Sequence, residues 1–354
     1  MNLWLTEKQS GLLDGFRGIA AVAVAVCHSL QIFIFHHYPS IHPYVAMVSQ
    51  ASVMIFFVLS GFLIHRSLGI NRLKNGTVDL VNYSVSRIQR IYPPLIFSFI
   101  LVGILSLISP YFFDSGTRYF MNTHYGISSN YSLSLRGSDI LSALTFSNSV
   151  YYNSIESNAP LWSLPLEIWY YVCAGLVFTL RKTGVILGTV IFFIISSISG
   201  VFLYYSIVWG AGFLLSLMHS KNIAISNRLT ITLIIISLCI WLFFTKILIS
   251  NLENVNIIKY NISSGILFLF VLNLLINLDL GIRQGFRDLS SYSYTLYIIH
   301  FPILLFLFGC FELSVTKSVP VSISIGTLGF IFSIAISWKA SHYVENKKFI
   351  KTLL

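Results

Sequence analysis

Ionisable side chains inside long apolar runs are the residues of this sequence that could do chemistry. Glu167 is the one acid of twelve within such a run, and His28 and His300 are the two of nine histidines well inside one, with His65 at a run's end. Ionisable groups are costly in a bilayer and often functional there. For a single histidine, the alternative is a hydrogen bond joining two helices. An imidazole suits a general base for a hydroxyl, and a nearby carboxylate suits its orienting group.

Arg17 precedes His28 by eleven residues, which corresponds to about 16 Å of helix. A helix entering from the cytoplasm would place Arg17 at the interface and His28 near mid-membrane. The alternatives for Arg17 are contact with lipid headgroups and an ion pair with Asp14, three residues earlier. We assign His28 as general base, Glu167 and Arg17 as its catalytic partners, and Asp14 as a further candidate.

Two arginines, Arg87 and Arg90, stand three residues apart just before an apolar run. This spacing puts both on one helix face, and planar guanidinium groups match phosphate oxygens. The pair predicts a polyphosphate site at the cytoplasmic start of a helix that is bent by Pro93 and Pro94 and whose N-terminal dipole favours anions. The alternative is the ordinary positive charge of a cytoplasmic segment.

Long apolar runs must position these groups. The 354 residues are 56% hydrophobic and 10% charged, with a mean hydropathy of +0.80, whereas a soluble domain has about 25% charged residues. A helix needs about 20 apolar residues to cross a bilayer, and barrel strands would alternate in polarity. The predicted fold is an all-α polytopic membrane protein with about ten transmembrane helices, at 17–36, 44–65, 91–109, 161–180, 184–199, 200–218, 229–249, 259–277, 292–311 and 319–340.

The positions of Lys and Arg predict the orientation of these spans. With both termini cytoplasmic, 17 of the 22 fall on the inner side and 5 on the outer side, the longest inner loop being predicted at 66–90 and the longest outer connection at about 110–140. The net charge of +10 then follows from topology, and no nucleic-acid partner is predicted.

The first run is interpreted as a signal anchor, not a cleaved signal peptide. No disulfide or metal site is predicted, because every cysteine lies inside a span: Cys27, Cys173, Cys239 and Cys310.

Five stretches of the sequence carry a family resemblance by their content and order. They are Leu13–Ala21 followed by His28, Phe56–Ile64, Arg87–Pro93, Leu161–Leu164 with Glu167, and Ser291–Ser293 to His300–Pro302. With these stretches the chain resembles the acyltransferase-3 family, the membrane O-acetyltransferases of the O-antigen and exopolysaccharide type. The resemblance extends from about residue 11 to residue 350.

The resemblance implies an O-acyltransferase for groups other than amino-acyl groups, multi-pass in the bacterial inner membrane. It would move an acyl group, usually acetyl, from cytoplasmic acyl-CoA to a hydroxyl of a cell-surface or lipid-linked saccharide. Arg17 and His28 would be the family's arginine–histidine pair, and Arg87 and Arg90 its donor-binding motif. Acetyl-CoA is then a co-substrate with no tightly bound cofactor, and the partners are acyl-CoA, the saccharide and the bilayer. The matched stretches add further candidates: Trp162, Ser163 and His300.

The C-terminal end departs from the family pattern. Where members end the last span with Ile-Glu-Arg/Lys-Pro, this chain has Val344-Glu345-Asn346-Lys347, so Glu345 is a candidate whose motif lacks its proline. Many members add an extracytoplasmic hydrolase-like domain. Here a single integral-membrane acyltransferase domain over 1–354 is expected, with no appended soluble domain.

Two other functions are compatible with ten helices. A polysaccharide or lipid-linked sugar transporter without acyl transfer could be built from two inverted five-span halves, although the two motif pairs have no counterpart in the second half. A receptor or scaffold would not need His28 and Glu167 inside the membrane. For the enzyme, direct transfer and an acyl-enzyme intermediate are both open at this point.

Overall fold

Helices make up 81% of the chain in the computed structural model, which describes residues 3–121, 132–251 and 253–346. Residues 122–131 of the predicted outer connection, and Lys347, Lys348 and Lys351 of the basic tail, lie outside the described residues. The described part contains no β-strand. Its thirteen α-helices are α1 Glu7–Phe33, α2 His42–Asn75, α3 Leu80–Phe112, α4 Gly137–Leu144, α5 Leu164–Phe178, α6 Lys182–Ile198, α7 Gly200–Ser220, α8 Asn227–Ser250, α9 Asn254–Asn277, α10 Gln284–Leu289, α11 Ser293–Cys310, α12 Glu312–Lys317 and α13 Val319–Val344.

Membrane-spanning length and apolar composition are found in nine segments of the described residues. They are α1, α2 with the preceding 3₁₀ turn Pro39–Ile41, α3, α5 with the preceding 3₁₀ segment Glu156–Trp162, α7, α8, α9, α11 and α13. The one predicted span that is not among these nine is the fifth, 184–199. It corresponds to α6, a shorter apolar helix of 17 residues. The predicted all-α polytopic fold is confirmed.

Two predicted boundaries are wrong because hydropathy detects apolar runs and not helix ends. Helix α1 begins ten residues before the predicted 17–36 span, since Thr6 and Gln9 form a reciprocal capping box, each backbone N–H donating to the other's side-chain oxygen at 3.1 Å. The predicted inner loop 66–90 is mostly helix, with only residues 76–79 outside α2 and α3. Polar residues such as Arg, Lys and Gln are good helix formers in water, so helices continue past the apolar run.

The α6–α7 boundary is where the sequence places it. Helix α6 ends at Ile198, and the Ser199 hydroxyl accepts a hydrogen bond from the Phe202 N–H at 3.3 Å. A serine N-cap of this kind starts a new helix. The predicted boundary between the fifth and sixth spans, 184–199 and 200–218, is thereby confirmed.

The chain divides into two compact units. Unit 1 comprises residues 1–20, 50–87 and 164–289, and unit 2 comprises residues 21–49, 88–163 and 290–354. In unit 1, α2 and α7 approach so closely that a Cβ on Gly61 would lie 2.0 Å from the Trp209 carbonyl oxygen, and one on Gly212 would lie 2.1 Å from that of Val58. Small residues at such crossings are typical of membrane helices. Here they bring Ser60 beside Trp209.

Unit 2 packs around α11, most of whose residues are buried. Its Phe301, Leu304, Leu305 and Phe308 share a core with residues of α1 and α12 and with Phe113 and Leu133. Pro302 lies inside this helix. A proline lacks the N–H that would bond the carbonyl four residues earlier, here that of Ile298. The Ser98 hydroxyl and the Asn158 amide donate to the Ile298 oxygen instead, at 2.9 and 2.7 Å.

Candidate functional site

The two histidines predicted deep within spans meet in unit 2. His28 of α1 and His300 of α11 place Nδ1 and Nε2, respectively, 2.8 Å apart, and their rings are nearly parallel at 18° with centroids 5.1 Å apart. His300 is fully buried, and His28 is partly buried, with Phe301 against the edge of its ring. His300 Nδ1 lies 2.8 Å from the Leu296 carbonyl oxygen, one turn earlier in α11. Within the described part of unit 2, His28 Nε2 has no hydrogen-bond partner.

Ser163 is tied to the same helix through Tyr297. The two hydroxyl groups are 2.8 Å apart, and the Tyr297 hydroxyl donates to the Pro160 carbonyl at 2.9 Å, so the Ser163 hydroxyl donates to Tyr297. Ser163 is 3% exposed and follows the 3₁₀ segment that carries the partly buried Trp162. These contacts fix the 156–163 segment against α11, three residues before His300. Ser163 therefore lies next to the turn of α11 that carries His300.

Glu345 caps α11 from the end of α13. One of its carboxylate oxygens accepts from the Thr295 backbone N–H at 3.0 Å and from the Thr295 hydroxyl. The first N–H groups of a helix have no partner inside the helix, and a carboxylate there also interacts favourably with the helix dipole. Glu345 therefore has a structural contact that does not need the family's proline.

Glu167 sits in the first turn of α5 in unit 1 and ends a chain of hydrogen bonds. The Tyr171 hydroxyl, one turn later, donates to its carboxylate at 2.8 Å. The Ser60 hydroxyl is 2.8 Å from that of Tyr171 and accepts from the Trp209 indole N–H at 3.1 Å. Since the Tyr171 proton goes to Glu167, the Ser60 proton goes to Tyr171. Every donor in this chain points towards the carboxylate.

Arg17 and Asp14 form the ion pair considered from the sequence. Their side chains are 3.5 Å apart on one face of α1, with exposures of 16% and 40%. A partly exposed ion pair at this distance contributes little stability. Arg17 and His28 lie on one continuous helix, as predicted.

The two arginines of the donor motif lie on α3, but not at its start. The helix begins at Leu80, so Arg87 stands about two turns and Arg90 about three turns inside it, and Pro93 and Pro94 are also internal. The predicted contribution of the helix N-terminus to anion binding is wrong, because that effect is confined to the first turn. Arg87 donates to the Ser67 and Ser86 hydroxyl groups at 3.3 Å and lies over the Tyr83 ring, whereas Arg90 is exposed.

His65 lies within α2, ten residues before the end of the helix at Asn75. It is fully buried in unit 1, its Nδ1 is 2.9 Å from the Ser216 hydroxyl, and the rings of Phe178 and Phe213 meet it edge-on. This environment joins α2 to α7 and matches the interpretation of an intramembrane histidine as a link between helices.

Several residues of the site were missed by sequence reasoning. Tyr171 follows Glu167 by four residues, a spacing that places both on one helix face and could have identified it. Ser60 and Tyr297 stand within the matched stretches. Trp209, Ser98 and Asn158 carry no sequence signal, because their contacts depend on helix packing.

Among the candidates in the described part of unit 2, His28 is an acid–base group with a ring nitrogen available for a ligand. A partly buried imidazole held at Nδ1 can accept a proton at Nε2 from a bound hydroxyl. Within the described residues, no cluster of three His, Cys, Asp or Glu side chains is arranged to hold a metal ion. The described cysteines are free.

Comparison with known proteins gives one match. No curated protein and no solved structure matches the sequence. The family model described as an acyltransferase domain matches residues 11–341, which is nearly the whole chain. It covers every candidate above except Glu345. The chain is an acyltransferase and belongs to the acyltransferase-3 family.

Proposed function

We propose that the protein is an O-acyltransferase that moves an acetyl group from cytoplasmic acetyl-CoA to a hydroxyl of a cell-surface or lipid-linked saccharide. The observation that carries the proposal is the burial and hydrogen bonding of His28. Its imidazole is partly buried on α1, is held at Nδ1 by His300 at 2.8 Å, and has Nε2 without a partner in the described part of its unit. This is the arrangement a general base for a hydroxyl requires.

The reaction proceeds by direct transfer in this proposal. His28 Nε2 takes the proton of the saccharide hydroxyl while the oxygen of that hydroxyl attacks the thioester carbonyl carbon. The carbon–sulfur bond then breaks, and the thiolate of CoA receives the proton from the same nitrogen. An acyl-enzyme route through a serine or cysteine would need that residue bonded to the base, and within the described part of unit 2 His28 bonds neither.

Arg87 and Arg90 bind the phosphates of the donor. Their i, i+3 spacing on α3 puts both guanidinium groups on one helix face. The contact of Arg87 with the Ser67 hydroxyl and the Tyr83 ring orders its side chain, which lowers the entropy lost on binding. Arg90 is exposed and available to an anion.

The protein is a multi-pass membrane protein, and we place it in the bacterial inner membrane with both termini cytoplasmic. The support is the bias of 17 Lys and Arg on the inner side against 5 on the outer side. Reporter fusions at the C-terminus and near residue 125 test the orientation and should report opposite sides. Reporters that agree would contradict this topology.

Incubation of the purified protein in nanodiscs with acetyl-labelled acetyl-CoA tests the function. Label transfer to a saccharide, or slow release of CoA by hydrolysis, supports an acetyltransferase. A protein that neither binds nor consumes the donor would contradict the proposal and favour a saccharide transporter. NMR of the surface polysaccharide from a deletion strain would then identify the acceptor, because the resonances of one O-acetyl group should be lost.

A further inference from the structure

The direction of the hydrogen bond between His300 and Leu296 can be assigned. A carbonyl oxygen only accepts, so His300 Nδ1, 2.8 Å from the Leu296 oxygen, carries a hydrogen. His300 is fully buried, and an isolated charge is costly to bury. In the neutral imidazole, only one nitrogen is protonated. His300 Nε2 is therefore the lone-pair nitrogen.

This assignment determines the tautomer of His28. Its Nδ1 is 2.8 Å from His300 Nε2, and an acceptor nitrogen must face a donor. His28 Nδ1 thus carries the hydrogen and Nε2 the lone pair. The opposite tautomer would place two lone pairs against each other at this distance. The Leu296 carbonyl thereby sets, through two imidazoles, which nitrogen of His28 is basic.

We propose that His300 is a positioning residue of the acyl transfer, which holds His28 in the tautomer and ring orientation that present Nε2 to the acceptor hydroxyl. The inference rests on the proposed role of His28 as base. It assigns to a second imidazole the task of orienting a base, for which carboxylates are the familiar group. His300 itself need not touch either substrate.

The same contact supports the charged intermediate. When His28 Nε2 takes the hydroxyl proton, its ring becomes an imidazolium, and its Nδ1–H bond to His300 becomes charge-assisted and stronger. The bond from His300 Nδ1 to the Leu296 oxygen keeps the lone pair of His300 directed at His28. The proton accepted at Nε2 is then delivered from Nε2 to the CoA sulfur. Both proton transfers use the one nitrogen that faces the ligand.

The α11 scaffold holds this pair in place. Glu345 caps the first turn through Thr295, the residue next to Leu296. The Ile298 carbonyl, freed by Pro302, is bound by Ser98 and Asn158. The turn that carries the Leu296 carbonyl is thus fixed at both ends.

Two substitutions separate orientation from packing. His300→Phe keeps a ring but removes the acceptor nitrogen, and we expect kcat for acetyl transfer to fall by about 10²-fold with KM for acetyl-CoA unchanged. His300→Gln places an amide oxygen where it can accept from His28 Nδ1, and we expect it to recover kcat to within about tenfold of the parent. Equal losses in both variants, or a parent kcat in His300→Phe, would overturn the proposal.

A spectroscopic measurement reads the tautomer without activity. Ring ¹⁵N shifts of histidine-labelled protein, with His28 assigned by its loss in His28→Gln, distinguish a protonated from an unprotonated nitrogen. We expect a protonated Nδ1 and an unprotonated Nε2 in the parent and in His300→Gln, and a mixture of tautomers in His300→Phe. A parent His28 protonated at Nε2 would refute the assignment.

Controls separate this inference from the function on which it rests. His65→Gln removes an equally buried histidine of unit 1 and should leave transfer per folded molecule unchanged. If His28→Ala transfers at the parent rate, the proposed base itself is wrong. If His28→Ala is inactive while His300→Phe keeps the parent kcat, only the positioning role fails.

Discussion

Each unit of the molecule contains a chain of directed hydrogen bonds, and the two chains end differently. In unit 1, Trp209, Ser60 and Tyr171 donate in turn, and the last proton goes to the Glu167 carboxylate. In unit 2, His28 donates to His300, and His300 donates to a backbone carbonyl. The first chain terminates in a carboxylate that accepts the last hydrogen bond. The second begins at an imidazole whose other nitrogen is available.

A polar residue in a membrane span must therefore be judged by the direction of its hydrogen bonds. A carboxylate that receives the end of a donor chain is held in place and stabilised as an anion. An imidazole at the beginning of such a chain keeps its basic nitrogen for a ligand. We therefore expect proton transfer to depend strongly on His28 of unit 2 and less on the charge of Glu167 in unit 1.

The largest effect should come from removing the basic nitrogen. We expect His28→Ala to lower the rate of acetyl transfer by about 10²–10⁴-fold, the usual contribution of a general base. The protein should still insert and accumulate, which size-exclusion chromatography in detergent would show. Transfer near the parent rate would reduce His28 to a link between two helices and remove the contrast between the units.

The arginine pair should give the next largest effect, since Arg87 and Arg90 are the residues proposed to bind the phosphates of the donor. Lysine keeps the charge but loses the bidentate geometry. We expect Arg87→Lys and Arg90→Lys each to weaken acetyl-CoA binding by about tenfold, roughly 1.4 kcal/mol, as measured by calorimetry. Arg72→Lys, at the end of α2, is the matched control and should bind as the parent does.

The same measurement can contradict the proposed role of Arg87 and Arg90 in binding the donor phosphates. If both lysine variants bind the donor as tightly as the parent, the two arginines serve only as positive charges on the inner side of the membrane. Loss in one variant alone would assign the phosphate contact to that arginine.

The smallest effect should come from neutralising the carboxylate of unit 1. In Glu167→Gln the amide oxygen can still accept from Tyr171, so we expect transfer to fall by only about three- to tenfold, with folded yield preserved. Tyr171→Phe is the comparison variant. It interrupts the chain of hydrogen bonds and should lower the thermal midpoint of unfolding. The buried Ser60 hydroxyl is then left without its acceptor, at a cost of about 1–3 kcal/mol. Full activity of Glu167→Gln would make its negative charge irrelevant.

Much of the fold could be predicted from the sequence. Apolar runs of the length of a bilayer locate the spans, and a serine beside a glycine marks the α6–α7 boundary at Ser199 and Gly200. The ends of α1 and α2 could not be found in this way. They are determined by capping contacts such as that of Thr6 with Gln9, and by polar residues that remain helical beyond the apolar run.

The candidate site was predicted as a set of residues but not as an arrangement. The sequence identifies His28, His300 and Glu167 by their burial in apolar runs. It does not show that His28 and His300 meet, since 272 positions separate them and their contact depends on how α1 and α11 pack. The partner of Glu345 was hidden for the same reason. The direction of each hydrogen bond requires the geometry of both groups.

The proline of α11 has a consequence for the biosynthesis of the protein. A carbonyl without a partner costs several kcal/mol in lipid, and Pro302 leaves that of Ile298 in this state until Ser98 and Asn158 reach it. Both residues are synthesised before α11 emerges from the ribosome. When this helix enters the bilayer, its docking site has already been made, and docking satisfies the exposed oxygen. Insertion from the N-terminus to the C-terminus thus converts a defect of an isolated helix into a driving force for its assembly.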